Sequence, residues 1–463
     1  MKAENEMGDT LATRNATDPP AGTKDHPGAL SRPLRLAAVL THPIQYFGPM
    51  FRRVAQRPEI ELTVLYASLQ GAQPYRDTGF DRVIAWDVPL LEGYRHKVLR
   101  NYGSERLGAF LRYATPEIVW ELKRGRYDAV MVFGWGHAAA WLAFAGARRA
   151  RIPFMLYGDS VPLYEGEIGG PKRLVKRLVL RRLFGRAGAF LATGTLNRLF
   201  YASYGVPAHK CFDVPLAVDN EFFRNTAENA RKHRADLRAR YGLKPDAVVI
   251  LFVGKLVPGK RPRDLLAVLK NLQPDFPQLA VAFAGDGELR PYLEAEIAQD
   301  SLKNALLLGF VNQSKLPEVY ALSDIFVMPS MFDNRGVVVN EAMACSLPVV
   351  VTDKTGVWGP GDIVVAGHNG FVYSAGDTDE LTRLVRKLVV DSRLREEMGA
   401  RSLEIVQRQG YNDCVNGILR ALYFVKGWPA PSPGVPTGDP AFQIALTTGP
   451  ISGGQPSRRN SNG

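Results

Sequence analysis

The sequence repeats one pattern in two series: short apolar, β-branched runs alternate with longer amphipathic stretches. The first series runs from LRLAAVL (34–40) to AFLAT (189–193), and the second runs from DAVVILFVG (246–254) to LPVVVT (347–352). Runs this apolar are typical of parallel strands buried on both faces, and the stretches between them are typical of crossover helices. The pattern therefore predicts an α/β protein with two Rossmann-like domains facing each other across a cleft.

The domain boundaries follow from where this pattern starts, pauses and ends. Between the first two strands and the third, residues 69–127 show neither period, and we expect them to be irregular. Both chain ends are polar or rich in Gly, Pro and Ser, which leaves little to bury. We predict a disordered tail (1–33), a first domain (34–218), an interdomain linker (219–245), a second domain (246–410), a helix that crosses back to the first domain (411–426) and a second disordered tail (427–463).

Composition excludes several classes of protein. No apolar run approaches the ~20 residues that cross a bilayer, and the polar start shows no secretory signal. Three widely spaced cysteines make a disulfide framework or a cysteine metal site improbable, so we expect a cytoplasmic protein. Lys and Arg number 58 against 46 Asp and Glu, and the net charge of +12 favours anionic partners.

Ligands of such sheets bind beyond the carboxyl ends of the strands, so we expect the binding residues on the loops there. The loop GKLVPGK begins at Gly254, where a strand ends, and places Lys255 and Lys260 five residues apart. Cations beside a helix start suit a diphosphate. A solvated basic turn is the alternative explanation of this motif.

A second loop lies in MPSMFDNRGVVVNEAMACSLPVVVTD (328–353). Gly336 leads into a predicted helix whose first amide groups have no intrahelical acceptor and can face a phosphate. Asp333 lies on the loop and Glu341 about one turn into the helix, so both can accept hydrogen bonds from sugar hydroxyls. Taken singly, Asp333 could instead cap the helix, and Glu341 could be solvated.

These motifs, in this order, resemble the retaining GT-B glycosyltransferases of family 4 (glycosyl transferases group 1), and THPIQY (41–46) resembles a bacterial subgroup. GTLNRLFYASYGVPAHKCFDVPLAVDNEFF (194–223), GDGELR (285–290) and LLLGFVNQSKLPEVYALSDIFVMPS (306–330) carry the resemblance together with the two loops. The resemblance implies a GT-B fold, with the acceptor bound by the first domain and a nucleoside diphosphate sugar bound by the second.

The resemblance also implies roles for individual residues. Asp333 and Glu341 match the family's Glu-x7-Glu motif, with hydroxyls of the transferred sugar on Asp333 and of the ribose on Glu341. The other implied donor contacts are Gly254, Lys255 and Lys260 at the diphosphate, Phe310 and Val311 at the base, and the amides of Gly336, Val337 and Val338 at the phosphates. The chain departs from the family at Asp333 (usually Glu), Lys255 (usually Arg) and Ser346 (usually Gly).

The first half offers fewer candidates. His42 and Gln45 follow the first strand and could contact donor or acceptor; a turn histidine bonded to backbone is an equal alternative for His42. Asp159 follows a buried strand, and its position resembles that of a polar family residue near the reacting sugar, although it could also cap a turn. His137, at the start of another helix, could orient an acceptor hydroxyl.

The helix expected at 171–186 carries seven Lys and Arg side chains among Leu and Val. Basic amphipathic helices of this kind lie on anionic membranes, so peripheral contact with the inner face of the cell membrane is one expectation. A solvated basic face is the alternative. No motif for nucleic-acid binding accompanies the charge.

The sequence therefore predicts a retaining glycosyltransferase that moves a sugar from a nucleoside diphosphate sugar to a saccharide or lipid-linked saccharide. Bacterial surface polysaccharide, glycolipid or glycoconjugate synthesis is the expected setting. No Asp-x-Asp stretch ends a strand, and we expect neither a metal nor a cofactor to be required. The alternatives are a nucleotide-sugar epimerase of the same fold and a catalytically weakened partner protein.

Overall fold

The computed structural model describes residues 32–163, 169–359 and 361–429. Residues 1–31 and 430–463, which make up nearly all of the two predicted tails, lie outside the described residues. The first half contains β1 (Leu34–Leu40), α1 (Phe47–Ala55), β2 (Ile60–Tyr66), β3 (Tyr75–Asp77), β4 (Arg82–Ile84), β5 (Arg95–Val98), α2 (Gly108–Leu111), α3 (Glu117–Arg124), β6 (Ala129–Phe133), α4 (Ala138–Ala150), β7 (Phe154–Gly158), α5 (Gly170–Phe184), β8 (Ala189–Ala192), α6 (Thr195–Ser203) and β9 (Cys211–Asp213).

The second half follows without a break in regular structure. It contains α7 (Asn220–Arg231), α8 (Arg234–Arg240), β10 (Val249–Val253), α9 (Arg263–Leu272), β11 (Ala280–Ala284), α10 (Arg290–Gln299), β12 (Ala305–Gly309), α11 (Leu316–Leu322), β13 (Ile325–Met328), α12 (Val337–Ala344), β14 (Val349–Thr352), β15 (Gly370–Tyr373), α13 (Thr378–Val390), α14 (Ser392–Gln407) and α15 (Tyr411–Lys426).

These strands form two parallel sheets. The first has the order β5-β2-β1-β6-β7-β8-β9 and the second the order β12-β11-β10-β13-β14-β15; β3 and β4 form a separate antiparallel hairpin. The central strands are fully buried, as their unbroken Val, Ile, Leu and Ala runs require. The predicted α/β fold with two Rossmann-like sheets is confirmed. In each sheet the chain order reverses beside the first strand, so a ligand crevice is expected at the carboxyl ends there.

Two stretches differ from the sequence-based picture. Residues 69–127, expected to be irregular, hold a hairpin, an edge strand and two helices. The edge strand β5 has the sequence RHKV with all four residues exposed, so no apolar run marks it. The stretch 219–245, expected as a linker, is mostly α7 and α8. These helices pack on α11 and bury Phe223 and Ala227, and the buried Arg238 of α8 pairs with Asp324.

The last helix returns to the first sheet. α15 packs against α1, β8 and β9, and Cys414, Ile418 and Leu422 on it are buried in the same core cluster as strands of the first half. This burial stabilises the crossing, because each side chain of this size removed from water contributes about 1.5–3 kcal/mol. The predicted crossover helix is therefore part of the fold.

Candidate active site between the two sheets

The loop after β10 turns sharply and sends two lysines in different directions. Gly254 has φ = +150°, a backbone conformation that favours glycine. Lys255 Nζ donates to Asp77 Oδ1 of the first half at 2.8 Å. Lys260 Nζ donates to Asp333 Oδ2 at 2.5 Å, within the second half. The two cations that we predicted from GKLVPGK are thus held in place by carboxylates on opposite sides of the cleft.

The loop after β13 brings Asp333 to the start of α12. Asp333 Oδ1 accepts a hydrogen bond from the backbone N–H of Arg335 at 3.1 Å, while its other oxygen faces Lys260. Gly336 is the residue that precedes α12, and the first amides of a helix have no intrahelical acceptor. A cation, a carboxylate and a helix N-terminus therefore meet at one edge of the second sheet, an arrangement that suits a phosphorylated sugar.

Glu341 lies inside α12 and is fully buried. Its Oε1 accepts from Gln313 Nε2 at 3.0 Å and from the Tyr46 hydroxyl at 3.2 Å, and its Oε2 accepts from the Tyr320 hydroxyl at 2.8 Å. Burial raises the pKa of Glu341 to about 7, although the three hydrogen bonds act in the opposite direction. Because Tyr46 belongs to the first half, this carboxyl group also joins the two halves.

Asp159, at the carboxyl end of β7, approaches the same loop from the first half. Desolvation by the surrounding protein raises the pKa of Asp159, although the residue remains exposed to solvent; the negative charge of Asp333 acts in the same direction, and hydrogen bonding to Asn334 opposes it. The structure thus brings Asp159 into electrostatic contact with Asp333 across the cleft. A carboxyl group with a raised pKa beside another is a common arrangement where protons or hydroxyls are handled.

His42 lies in a different cluster. Its Nδ1 is 2.9 Å from the Thr41 hydroxyl, and its ring stacks on Tyr113 with centroids 5.9 Å apart. Burial lowers the pKa of His42 to about 4, and the charges of Arg112 and His137 act in the same direction, so the imidazole is neutral at pH 7. His137 itself contacts the Ala109 carbonyl through Nδ1 at 2.9 Å.

The segment predicted to contact the base is covered by the β3–β4 hairpin. Phe310 packs edge-on against Phe80 with centroids 5.2 Å apart, and the Arg82 guanidinium lies 5.3 Å from its ring centre. Asn312 Nδ2 donates to the Ala85 carbonyl at 2.7 Å. Val311 packs against the core of the second sheet. A base bound at Phe310 would therefore lie at a contact between the two halves.

A buried ion pair within the second half contacts the first half at a second place. The Arg335 guanidinium bonds Asp362 Oδ1 at 2.7 Å, and the side chains are only 2% and 0% exposed. Asp362 Oδ2 accepts from the backbone N–H of Thr195, at the start of α6 in the first half, at 3.1 Å. Two further nitrogens of Arg335, Nε and Nη2, are buried without a hydrogen-bond partner.

The sequence did not identify Tyr46, Gln313 or Asp77, which contact the site residues from distant parts of the chain. Tyr46 lies in the quoted run THPIQY and Gln313 lies just after Phe310, but neither was singled out. Asp77 falls in the stretch that was expected to be irregular, so no strand end marked it. Asp77 ends β3, which pairs antiparallel with β4, so the rule for the ends of parallel strands would not have found it either.

Two kinds of feature are absent from the part of the chain that the structure describes, a cluster of metal ligands and a membrane-spanning helix. Among residues 32–163, 169–359 and 361–429, no group of three or more His, Cys, Asp or Glu side chains could hold a metal ion. Within the same residues, no helix combines the length and the apolarity needed to cross a bilayer.

Known proteins resemble this chain in sequence. The profile of the family described as glycosyl transferases group 1 matches residues 233–404. A GDP-mannose-dependent alpha-(1-6)-phosphatidylinositol monomannoside mannosyltransferase of Mycolicibacterium smegmatis is 31% identical over 327 residues, which span 66% of this chain and 80% of that protein. The sulfoquinovosyl transferase SQD2 of Arabidopsis thaliana is 26% identical over 68% of this chain and 60% of its own length.

Solved structures resemble it in fold. Anabaena HepE in complex with UDP superposes with a TM-score of 0.63 at 18% identity and covers 83% of this chain and 98% of that one. WaaG, a glycosyltransferase involved in lipopolysaccharide biosynthesis, superposes with a TM-score of 0.58 at 17% identity over 85% and 100% of the two chains. Because the mycobacterial relative is matched over four fifths of its length at 31% identity, and the two sheets have the expected arrangement, the chain belongs to the glycosyl transferases group 1 family and is a glycosyltransferase of GT-B fold.

Proposed function

We propose that the protein transfers a glycosyl group from a nucleoside diphosphate sugar to an acceptor hydroxyl, with retention at the anomeric carbon. One observation carries the proposal: Lys260, Asp333 and the N-terminus of α12 meet at a strand end, with Glu341 buried one turn further along the helix. The arrangement supplies cationic and amide donors for phosphates and carboxylate acceptors for hydroxyls on either side.

In this proposal the second domain (246–410) binds the donor and the first (34–218) binds the acceptor. Lys255, Lys260 and the backbone at Gly254 contact the diphosphate, together with the amides of Gly336, Val337 and Val338. Glu341 holds the ribose hydroxyls and Asp333 holds hydroxyls of the transferred sugar, while Phe310 and Val311 contact the base. The names of known relatives support a donor of this class, since one is GDP-mannose-dependent and a structural neighbour was solved with UDP.

The difficult step is departure of the diphosphate. The bond between the anomeric carbon and the phosphate oxygen breaks. The ammonium group of Lys260 and the N-terminus of α12 stabilise the negative charge that develops on that oxygen. The acceptor oxygen bonds to the anomeric carbon on the face that the diphosphate leaves, and its proton passes to the departing phosphate. The Lys260 ammonium has three N–H donors, so it can contact the phosphate while it keeps its bond to Asp333.

Asp159 and His42 are assigned to the acceptor side. The pKa of Asp159 is raised, and Asp333 faces it across the cleft, so it can accept a hydrogen bond from the acceptor hydroxyl or from the transferred sugar. The neutral His42 can orient an acceptor hydroxyl through the ring nitrogen that does not face Thr41. Neither group is needed to neutralise the diphosphate.

We place the activity in bacterial surface polysaccharide, glycolipid or glycoconjugate synthesis, at the inner face of the cell membrane. Four apolar side chains of α5, Leu174, Val175, Leu178 and Val179, are 42–61% exposed, and their spacing puts them on one helix face. Residues 169–186 contain seven cations and no acid. An apolar face flanked by cations suits the surface of an anionic bilayer. The mycobacterial relative, by its name, acts on a phosphatidylinositol mannoside.

Vesicle sedimentation tests the membrane assignment. The protein should sediment with vesicles that contain phosphatidylglycerol and remain free with pure phosphatidylcholine, and added salt should weaken the binding. Leu178→Asp should abolish sedimentation, whereas Val390→Asp, at an equally exposed position on α13, should not. Equal binding by both variants would contradict the assignment of α5.

Donor turnover tests the enzymatic proposal. UDP-glucose and GDP-mannose are each incubated with the protein, and release of the free nucleotide is measured with and without added glycosides. Lys260→Ala and Glu341→Ala should lose turnover, while Lys270→Ala, an exposed lysine on α9 paired with Asp300, should keep it. NMR of the anomeric proton of the product checks retention.

The alternatives give other outcomes in the same assay. An epimerase would change the sugar of the donor without an acceptor and form no glycoside. A catalytically weakened partner protein would bind the nucleotide sugar without converting it to free nucleotide. Unchanged turnover in both site variants would refute the residue assignments.

A further inference from the structure

A cavity of about 410 Å³ opens beside Lys255, on the side of the cleft formed by the first half. Segments 70–78 and 105–112 line it, and Lys255 is its one lining residue from the second half. None of the residues that the sequence offered as possible acceptor contacts, His42, Gln45, Asp159 and His137, lines this cavity. Its volume falls within the roughly 300–1,000 Å³ that is usual for small-molecule sites.

One cation of the cavity is held in a single orientation. The Arg112 guanidinium donates to Gln70 Oε1 at 3.2 Å, pairs with Glu105 at 2.6 Å and lies 5.5 Å from the centre of the Tyr113 ring. The Tyr113 hydroxyl donates to the same Gln70 oxygen at 2.7 Å, which fixes that amide. A guanidinium held in this way presents its remaining donors to a ligand without losing further side-chain entropy.

The charges of the lining favour an anion. Arg76, Arg112 and Lys255 face two acids, Asp77 and Glu105. Asp77 is already compensated, because its Oδ1 accepts from Lys255 and from the backbone N–H groups of Gly79 and Phe80. Burial acts to raise the pKa of Asp77, but these hydrogen bonds lower it below its ordinary value. The carboxylate is therefore ionised, and its charge is already compensated by these donors.

The remaining ion pairs are weak. Glu105, the partner of Arg112, is 73% exposed, and the pair of Arg76 with Asp81 is exposed on both sides. Exposed ion pairs contribute little to stability, so an incoming anion can replace these partners. Two arginines therefore remain available for bidentate contacts with a carboxylate or a phosphate.

We propose that this cavity binds the acceptor, and that the acceptor is an acidic saccharide held through a carboxylate or phosphate group. Arg76 and Arg112 contact the anionic group, and the side chains of Gln70, Tyr75 and Thr78 supply hydrogen-bonding groups for hydroxyls. Lys255 belongs both to this cavity and to the diphosphate site, so a saccharide bound here lies next to the donor. The inference rests on the proposed function, since it names the second substrate of that site.

Binding of three simple probes to the full chain tests the inference. Methyl β-D-glucuronide, glucose 6-phosphate and the neutral methyl β-D-glucoside are titrated by ligand-observed NMR, with inorganic phosphate as a fourth ligand. Both charged sugars should bind about tenfold or more tighter than the neutral one, as expected for hydrogen bonds to charged groups. They should also bind tighter than inorganic phosphate, because hydroxyl contacts add to the charged one. The ratio of the two charged sugars distinguishes a carboxylate from a phosphate source.

Substitutions of the lining residues test whether the charged sugars bind in this cavity. Arg112→Gln should remove the preference for the charged sugars, and Arg76→Gln, at an exposed position that leaves the fold intact, should reduce it. Arg106→Gln changes an exposed arginine of the same segment that does not line the cavity and should have no effect. Equal binding of charged and neutral sugars, no binding of any sugar, or a preference unaffected by both cavity variants would overturn the inference.

A nucleotide control separates this inference from the proposed function. Thermal stabilisation by UDP or GDP depends on Lys260 and Glu341 and not on Arg112. Stabilisation by nucleotide without binding of charged sugars would overturn the acceptor site alone. No stabilisation by either nucleotide would instead count against the proposed function.

Discussion

Replacing Glu341 with Gln should remove a pH dependence from the stability of the protein. Burial raises the pKa of Glu341 from 4.5 to about 7 in the folded chain. A raised pKa means that the folded state holds its proton more tightly than the unfolded state. The stability that this provides is fully present below pH 4.5 and is lost as the pH rises through 7. The wild type should therefore lose more stability than the variant across this window.

The magnitude follows from the shift. A difference of about 2.5 pKa units corresponds to roughly 3 kcal/mol of unfolding free energy, at about 1.4 kcal/mol per unit. Gln is a close steric match for the contacts: its oxygen can accept from Tyr46 and Gln313, and its amide can donate to the Tyr320 hydroxyl. That hydroxyl can then donate to the Val338 carbonyl, which lies 3.3 Å away.

Urea unfolding of both proteins at a series of pH values measures the effect. Other groups titrate in the same window, but they are common to both proteins, so the difference between the two curves isolates Glu341. The hydroxyls that contact it, those of Tyr46 and Tyr320, have pKa values raised well above 10 and stay neutral throughout. Parallel stability curves for wild type and variant would refute the reasoning.

Three further predictions concern the same cleft. Lys260→Ala should lower kcat by about 10²–10³, the usual effect of removing one preorganised donor, and a loss confined to KM would contradict its role at the leaving group. Arg335→Ala should cost about 3–5 kcal/mol of stability, because it leaves the buried Asp362 unpaired; Arg263→Ala, whose pair with Glu296 is partly exposed, should cost less than about 1 kcal/mol in the same urea titration. Binding of UDP or GDP should tighten by up to about tenfold per pH unit as the pH rises toward 7, because ribose hydroxyls favour the charged Glu341; calorimetry showing a flat profile would mean that Glu341 does not bind the ribose.

Local sequence patterns predicted the second sheet up to β14 but not its last strand, β15, and they predicted part of the first sheet poorly. The strands β10, β11 and β13 are buried on both faces, so each is a continuous apolar run that can be recognised without its neighbours. The strand β5 exposes all four side chains and exists only because it pairs with β2. The hairpin β3–β4 is likewise short and polar. Neither element has the regular pattern of apolar residues that marks a strand, so neither could be predicted from the local sequence.

The candidate site divides in the same way. The loops that carry Lys255, Lys260 and Asp333 could be predicted, because the carboxyl ends of parallel strands meet at one edge and the Gly and charged residues there are adjacent in sequence. The convergence of Lys260 and Asp333, 73 residues apart, followed from the predicted fold, whereas their direct contact needed the structure.

The surroundings of each charged group were decided by tertiary structure alone. Glu341 is bonded by Tyr46, 295 residues away, and Lys255 by Asp77, 178 residues away. Whether a carboxyl group is solvated or held at a pKa near 7 depends on how much water the whole fold excludes and on which distant donors reach it. Local periodicity reports which side of an element is buried, and so the sequence by itself determined the two-sheet fold and the site's position. Packing between the two halves decided the electrostatics of that site.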